Sequence, residues 1–315
     1  MNRLVIIDGH AILHRAFHAL PPLTTKDGEM VNAVFGFISM ILRVIQDLKP
    51  SYFVVTFDRP KPTFRKAMYV GYQAHRPKMD DDLSSQIERV HKVLETMGIA
   101  IFEMDGYEAD DVIGTIVTKI DGDIEKVIVT GDRDILQLVN SHVKVYMPVK
   151  GLSVSKLYGE KEVEEKYGIK ASQIVDYKAL VGDASDNYPG VSGIGPKTAS
   201  QLVTKFGNLE NIYEHIGEVE SERFRKTLAE NSESAALAKK LATIVRDVPI
   251  TLNIEKCKLG NLDRPHVHKM LEDLEFRSLI TRLGGSKNQE LRIKNNEKPR
   301  REEKKGDNTQ QIKLF

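Results

Sequence analysis

Short apolar runs that end in aspartate, separated by stretches of helical period, constrain this chain more than any other feature. LVII at 4–7 runs into Asp8, YFVVTF at 52–57 into Asp58, and KVIVT at 126–130 into Asp132 and Asp134. IAIF at 99–102 leads through EMDGYEADD to Glu108, Asp110 and Asp111, and VKVYM at 143–147 supplies a fifth run. The runs are continuously apolar rather than alternating, as in strands buried on both faces. Helical patterns fill the gaps at Val31–Leu48, Leu83–Met97 and Ala109–Ile120. Alternating strands and helices predict an α/β fold with a largely parallel central sheet flanked by helices.

After about residue 149 the strand signal fades and helical patterns dominate to Gly284, notably over Ser221–Val245 and Arg264–Leu283. From Gly285 apolar residues are sparse, and that composition predicts disorder. The expected division is therefore an α/β core at 1–150, a helical region at 151–284 and a tail at 285–315. The 46 Lys+Arg nearly balance the 45 Asp+Glu, but the tail takes nine bases against five acids, leaving Met1–Gly285 slightly acidic. A single cysteine, Cys257, excludes a disulfide framework or a cysteine-based zinc site within one chain. The N-terminal apolar run is too short for a signal-peptide core and no run approaches a membrane span, so a cytoplasmic home is expected.

In an open parallel sheet, ligands bind beyond the carboxyl ends of the strands. Asp8, Asp58, Asp132 and Asp134 fall at such ends, and Glu108, Asp110 and Asp111 open the following helix. Asp183 and Asp186, three apart, join them and would share a face if their segment were helical. Any one of these acids also suits a helix cap or a first-turn partner of the helix dipole. Their recurrence points further. Nine carboxylates in one crevice need counter-charge, and all-oxygen donors suit Mg²⁺ or Mn²⁺. Two ions about 4 Å apart clamp the attacking and leaving oxygens of a phosphoryl transfer.

Two further segments suit a nucleic acid. PGVSGIGPKTA places Gly190, Gly193 and Gly195 before Pro196, a first-helical-turn proline. Exposed N–H groups there, with Lys197 and Thr198, can hold a backbone phosphate, although an ordinary packing corner between helices has the same spacing. It is not a P-loop. Between Asp58 and residue 82 a basic segment interleaves Arg65, Tyr69, Tyr72 and Arg76, a pattern suited to a single strand: cations for phosphates, rings for bases.

LVIIDGHAILHRAFHALPPLTT, VVTFDRPKPTFRKAMYVGY, EMDGYEADDVIGT, VTGDRDILQLV and VGDASDNYPGVSGIGPKTA together resemble the 5′ nuclease domain at the start of bacterial DNA polymerase I, related to flap endonucleases, across residues 3–284. The resemblance implies a PIN-like core whose nine acids hold two or more Mg²⁺ or Mn²⁺ ions, directly or from an outer shell. Asp8, Asp58, Asp110, Asp111, Asp132 and Arg76 would be catalytic. It implies an arch at about 59–82 over the site, and a helix–hairpin–helix at about 180–206 on duplex DNA. A K⁺ ion would sit in that turn on the carbonyls of Leu180, Val181, Pro189, Val191 and Ile194. DNA contacts would fall to Arg15, Arg65, Tyr72, Arg76, Gly193, Gly195, Lys197 and Thr198. One position departs from the family: Gln73 stands where a lysine follows the arch tyrosine, leaving Arg76, Arg65 or Lys66 to face the scissile phosphate.

The implied activity is metal-dependent 5′→3′ exonuclease and flap endonuclease cleavage of DNA with 5′ ends, flaps or nicks. A monomer is expected, stand-alone since no polymerase follows. An inactive DNA-structure-binding protein of the same fold would lack part of the acid set, and a PIN-like RNase would not need the hairpin. The tail ends QQIKLF, and Gln311, Leu314 and Phe315 resemble the peptide by which bacterial replication proteins dock on the sliding clamp.

Overall fold

The computed structural model describes residues 2–120, 124–150 and 154–284; the expected clamp-binding end, Gln311, Leu314 and Phe315, lies outside them. In the first half the chain forms β1 (Arg3–Asp8), α1 (Gly9–Ala19), α2 (Asn32–Leu48), β2 (Tyr52–Thr56), α3 (Phe64–Met68), α4 (Asp81–Met97), β3 (Ala100–Phe102), α5 (Ala109–Lys119), β4 (Glu125–Val129) and β5 (Val143–Lys150). All five runs are strands. A sixth, β6 (Val154–Tyr158), escaped the sequence reading because this edge strand buries only Tyr158 and so carries little apolar signal.

The sheet order is β3-β2-β1-β4-β5-β6, with β1 to β5 parallel and β6 antiparallel to β5. The chain steps outward from β1 through β2 to β3, then returns to the far side of β1 with β4. That reversal opens a crevice at the carboxyl ends of β1 and β4, the expected ligand position in an open α/β sheet.

Alternate residues of each strand feed two cores. Leu4, Ile6, Val54 and Ile128 pack with Val112 and Ile116 of α5. Val5, Ile7, Phe53 and Val127 pack with Ile12 of α1, Phe37 of α2 and Val90 of α4. The helical half comprises α6 (Glu160–Tyr167), α7 (Ile174–Val181), a two-stranded turn of β7 (Gly182–Asp183) and β8 (Tyr188–Pro189), α8 (Pro196–Phe206), α9 (Leu209–Glu214), α10 (Glu222–Glu230), α11 (Ser232–Ala242), α12 (Pro265–Asp273) and α13 (Arg277–Leu283). It shares the first core through Leu180, Val203 and Ile244, while α12 and α13 return to the second through Val267, Leu271 and Leu279. The two halves are thus tied by burial of about 1.5–3 kcal/mol per large apolar side chain. Gly9 lets the β1–α1 turn press against β2: a Cβ there would meet the Phe57 ring at 2.4 Å and the Thr56 carbonyl at 2.6 Å.

Candidate metal centre and nucleic-acid interface

Asp8 closes β1 and caps α1. One carboxylate oxygen accepts the Ala11 N–H at 3.0 Å and the other accepts the Thr130 hydroxyl at 2.6 Å. That hydroxyl accepts the Asp132 N–H at 2.9 Å, and Asp132 Oδ1 accepts the Asp134 N–H at 2.8 Å. The ends of β1 and β4 are therefore wired together across the crevice. Asp58 Oδ1 accepts the Ala109 N–H at 2.8 Å, which fixes the start of α5 and so places Asp110. His10 Nδ1 accepts the Asp58 N–H at 3.1 Å. Asp8, Asp58, Glu108, Asp110, Asp132, Asp134 and Asp186 line one cavity of about 1190 Å³, with Arg59, Lys61, Lys66, Gln73 and Arg76 from the arch segment also on its wall.

The inner acids oppose one another. Burial, then the nearby charges of Asp58 and Asp132, push Asp8 up to about 7 against the hydrogen bonds from Thr130 and Ala11. Burial and the carboxylates of Asp132 and Asp8 raise Asp110 well above the usual range. No salt bridge joins Asp8, Asp110 or Asp132 to a described residue. This donor set, oxygen-only and rich in unneutralised carboxylate, fits a hard divalent cation.

The outer acids differ. Asp134, Asp183 and Asp186 bring ligand oxygens within 4.8 Å of one another. Asp183 and Asp186 do not share a helix face as their spacing suggested. Asp183 ends β7 and Asp186 lies in the turn to β8, where Asp183 Oδ1 accepts the N–H groups of Ser185 at 2.7 Å and Asp186 at 3.3 Å. Lys178 of α7 donates to Asp134 and, at 2.5 Å, to Asp183. Against the effect of burial, Lys178 and Ser185 hold Asp183 down at about 2. Burial and Asp132 push Asp134 up to about 7 although Lys178 opposes them. Asp186 accepts from Arg76 at 2.5 Å and from the Tyr72 hydroxyl at 3.2 Å.

Three expected roles are corrected. Arg65 is not a DNA contact: it is 2% exposed and all its donors are spent inside the protein. Its guanidinium grips both Asp111 oxygens at 2.7 Å, reaches Glu108 at 3.1 Å, and caps the carbonyls of Leu241 and Thr243 at 2.9 and 2.8 Å. Asp111 is correspondingly not a metal ligand or catalytic group, because it is fully buried in that pair and also accepts the Val245 N–H at 2.9 Å. Tyr72 offers no free ring to a base: it is 4% exposed, stacks on Tyr188, and its hydroxyl reaches Glu108 as well as Asp186.

The other expected contact residues keep some surface exposure. Gly193 takes a left-handed φ of 78°, Gly195 precedes Pro196 at the start of α8, Lys197 is exposed, and Thr198 is half-buried. Gly190 is required by close approach, since a Cβ would meet the Leu180 carbonyl at 2.3 Å. Of the carbonyls expected to hold K⁺, that of Leu180 accepts the Val191 N–H and that of Val191 accepts the Ile194 N–H, while Pro189 lies in β8 and Val181 ends α7. Arg15 is half-buried on α1. Gln73, with a φ of 55°, donates its side-chain amide to Asp186 at 3.3 Å. The sequence reading missed Lys178, His10 and Thr130. The signal for Lys178 was a lone cation inside the apolar run IVDYKALV, directly before the paired aspartates.

Comparison with known proteins places the chain. Residues 3–168 match the model for the 5′-3′ exonuclease N-terminal resolvase-like domain, and residues 169–265 match the 5′-3′ exonuclease C-terminal SAM fold. DNA polymerase I of Caldicellulosiruptor bescii is 43% identical over 285 residues, 90% of this chain and 33% of that protein. DNA polymerase I of Bacillus subtilis is 37% identical over 284 residues, 90% and 32% respectively. The chain thus spans about a third of the length of these relatives. Among solved structures, the bacteriophage T5 D15 flap endonuclease in a pseudo-enzyme-product complex with DNA and metal ions shares the fold at a TM-score of 0.62 and 20% identity, covering 87% of this chain and all of that one. The catalytic core of Rad2 in complex with DNA substrate does so at 0.58 and 16%, covering 87% and 88%. With both halves matched by the two family models and the acids converging at the sheet's switch point, this chain belongs to the 5′-3′ exonuclease family.

Proposed function

We propose that the chain cleaves DNA phosphodiesters at or near 5′ ends, as a divalent-metal-dependent 5′→3′ exonuclease and flap endonuclease leaving 5′-phosphate and 3′-hydroxyl products. The observation that carries this reading is the convergence of Asp8, Asp58, Asp110 and Asp132 at one strand-end crevice beside a basic segment. Solution of a fold neighbour with DNA and metal ions supports it. Bound Mg²⁺ or Mn²⁺ would supply an activated water and neutralise charge on the phosphate.

The protein's own part is to hold and orient. Asp8, Asp110 and Asp132 would hold the ions on the floor of the cavity, and Thr130 and Ala11 fix the oxygens of Asp8. Asp134, Asp183 and Asp186 would extend the site toward the hairpin. Arg76, half-exposed on the wall, would meet the backbone of a 5′ strand. The turn Gly193–Thr198 would hold duplex phosphates through N–H groups and Lys197, with K⁺ on the neighbouring carbonyls. The protein would act as a monomer, and the terminal peptide would dock on a sliding clamp. Among the described residues no helix is long and apolar enough to cross a membrane.

The test is a 5′-labelled flap duplex incubated with the protein in Mg²⁺ and in EDTA. Release of the labelled strand only in Mg²⁺ is the expected result. Undiminished cleavage in excess EDTA, or no cleavage in either, would overturn the reading.

A further inference from the structure

We propose that Lys178 is a built-in counter-ion that sets the cation affinity of the Asp134–Asp183–Asp186 group well below that of the Asp8–Asp110–Asp132 group. The inference rests on the metal-dependent reading above and assigns a positioning role to a residue that reading does not use.

Three observations carry it. The Lys178 ammonium donates to Asp134 and Asp183, two of the three acids whose ligand oxygens lie within 4.8 Å of one another. Its side chain is 14% exposed, so water screens the charge little. Its backbone lies on α7, anchored by the buried Ile174, Ala179 and Leu180, so the ammonium is delivered to one place. By contrast, no described cation bonds to Asp8, Asp110 or Asp132.

Cation affinity at oxygen sites follows ligand charge count and rigidity. Three free carboxylates would present three negative charges. Half-exposed Arg76 offsets one of these at Asp186; Lys178 removes a further one between Asp134 and Asp183, and an arriving ion meets its like charge nearby. The two sites are thus built unequal. The inner one fills first, and the outer one fills only at higher ion concentration, when substrate phosphate adds its own negative charge. Lys178 also keeps the outer carboxylates aligned while the site is metal-free.

The experiment is calorimetry of Mn²⁺ binding to the whole protein without DNA, comparing wild type with Lys178→Met, Lys178→Gln and Lys178→Arg. The wild type should show a tight and a weak phase. Met and Gln should tighten the weak phase about tenfold or more and leave the tight phase within roughly threefold, as removal of one nearby charge implies. Arg should restore the weak phase. If Met and Gln both failed to fold, NMR of lysine side-chain ammonium groups in the wild type decides: the Lys178 signal, assigned by its loss in Lys178→Arg, should move in the weak phase alone. An unchanged or weakened second phase in Met and Gln, a Lys178 signal moving in the tight phase, or a single phase in the wild type would overturn the proposal. Cleavage of the flap duplex by a wild type showing any of these would confine the failure to Lys178. Absence of both Mn²⁺ binding and cleavage would instead sink the nuclease reading.

Discussion

Two groups of acids meet at one cavity, all but Asp183 on its wall, and have opposite surroundings. Asp8, Asp110 and Asp132 meet hydroxyls, backbone N–H groups and one another; Asp134, Asp183 and Asp186 meet Lys178 and Arg76. The first group is held in place against its own repulsion by the β1–β4 junction and the start of α5. The second is neutralised in part by the protein itself. Position along the chain does not decide which an acid becomes, as Asp110 and Asp111 demonstrate. They are adjacent, yet one lines the cavity and the other is locked under Arg65. What separates them is the direction each takes from the first turn of α5.

The largest expected effect breaks the inner group. Asp110→Asn should reduce flap cleavage about 10³-fold or more, because several kcal/mol of charge stabilisation would be lost. The same change should raise the melting temperature of the metal-free protein by removing a repelled charge. Activity within tenfold of wild type would show that Asp110 is not part of the metal centre.

Next comes the pair hidden beside it. Arg65→Met should destabilise the fold by about 3–5 kcal/mol in denaturant unfolding, since Asp111 would be left as an unpaired buried charge. Arg65→Met combined with Asp111→Leu should recover much of that loss. If the double variant were no more stable than the single, the pair would not be acting as a unit.

The contrast also has a pH signature. Asp8 and Asp134 are held near 7, above the usual 3.8, by burial and by neighbouring acids. A carboxyl with a raised folded-state pKa contributes stability below its unfolded value and loses it as pH rises through the folded one. Metal-free protein should therefore melt lower at pH 8 than at pH 5, by about 2–4 °C for each kcal/mol lost. Mg²⁺ should raise the melting temperature more at pH 8 than at pH 5. Calorimetric scans at the two pH values would falsify this if the metal-free curve rose with pH.

The smallest effect concerns Arg76, whose side chain is 51% exposed beside Asp186. Arg76→Gln should change stability by less than about 1 kcal/mol, as expected for a solvent-screened pair. Its effect on cleavage should be much larger than that if it meets the substrate backbone. A variant that cleaved normally but unfolded easily would reverse the assignment.

The order of elements and most of the site were legible in the sequence because they depend on local signals. Continuous apolar runs need burial on both sides, an acid at a strand's end caps the next helix, and Gly-Pro marks the entry to α8. The primary structure by itself therefore determined the parallel sheet, the strand-end position of Asp8, Asp58 and Asp132, and the turn that opens at Gly193. It was silent where partners come from distant elements. Arg65 and Tyr72 read as surface groups of a basic loop, yet contacts with Asp111, Leu241, Thr243 and Asp186 draw them inside. The role of Lys178 arises where β7 and the segment after β4 bring Asp183 and Asp134 to it. Whether a charge is solvated, paired or repelled depends on what approaches it through space, and tertiary structure alone decided that for each of the nine acids.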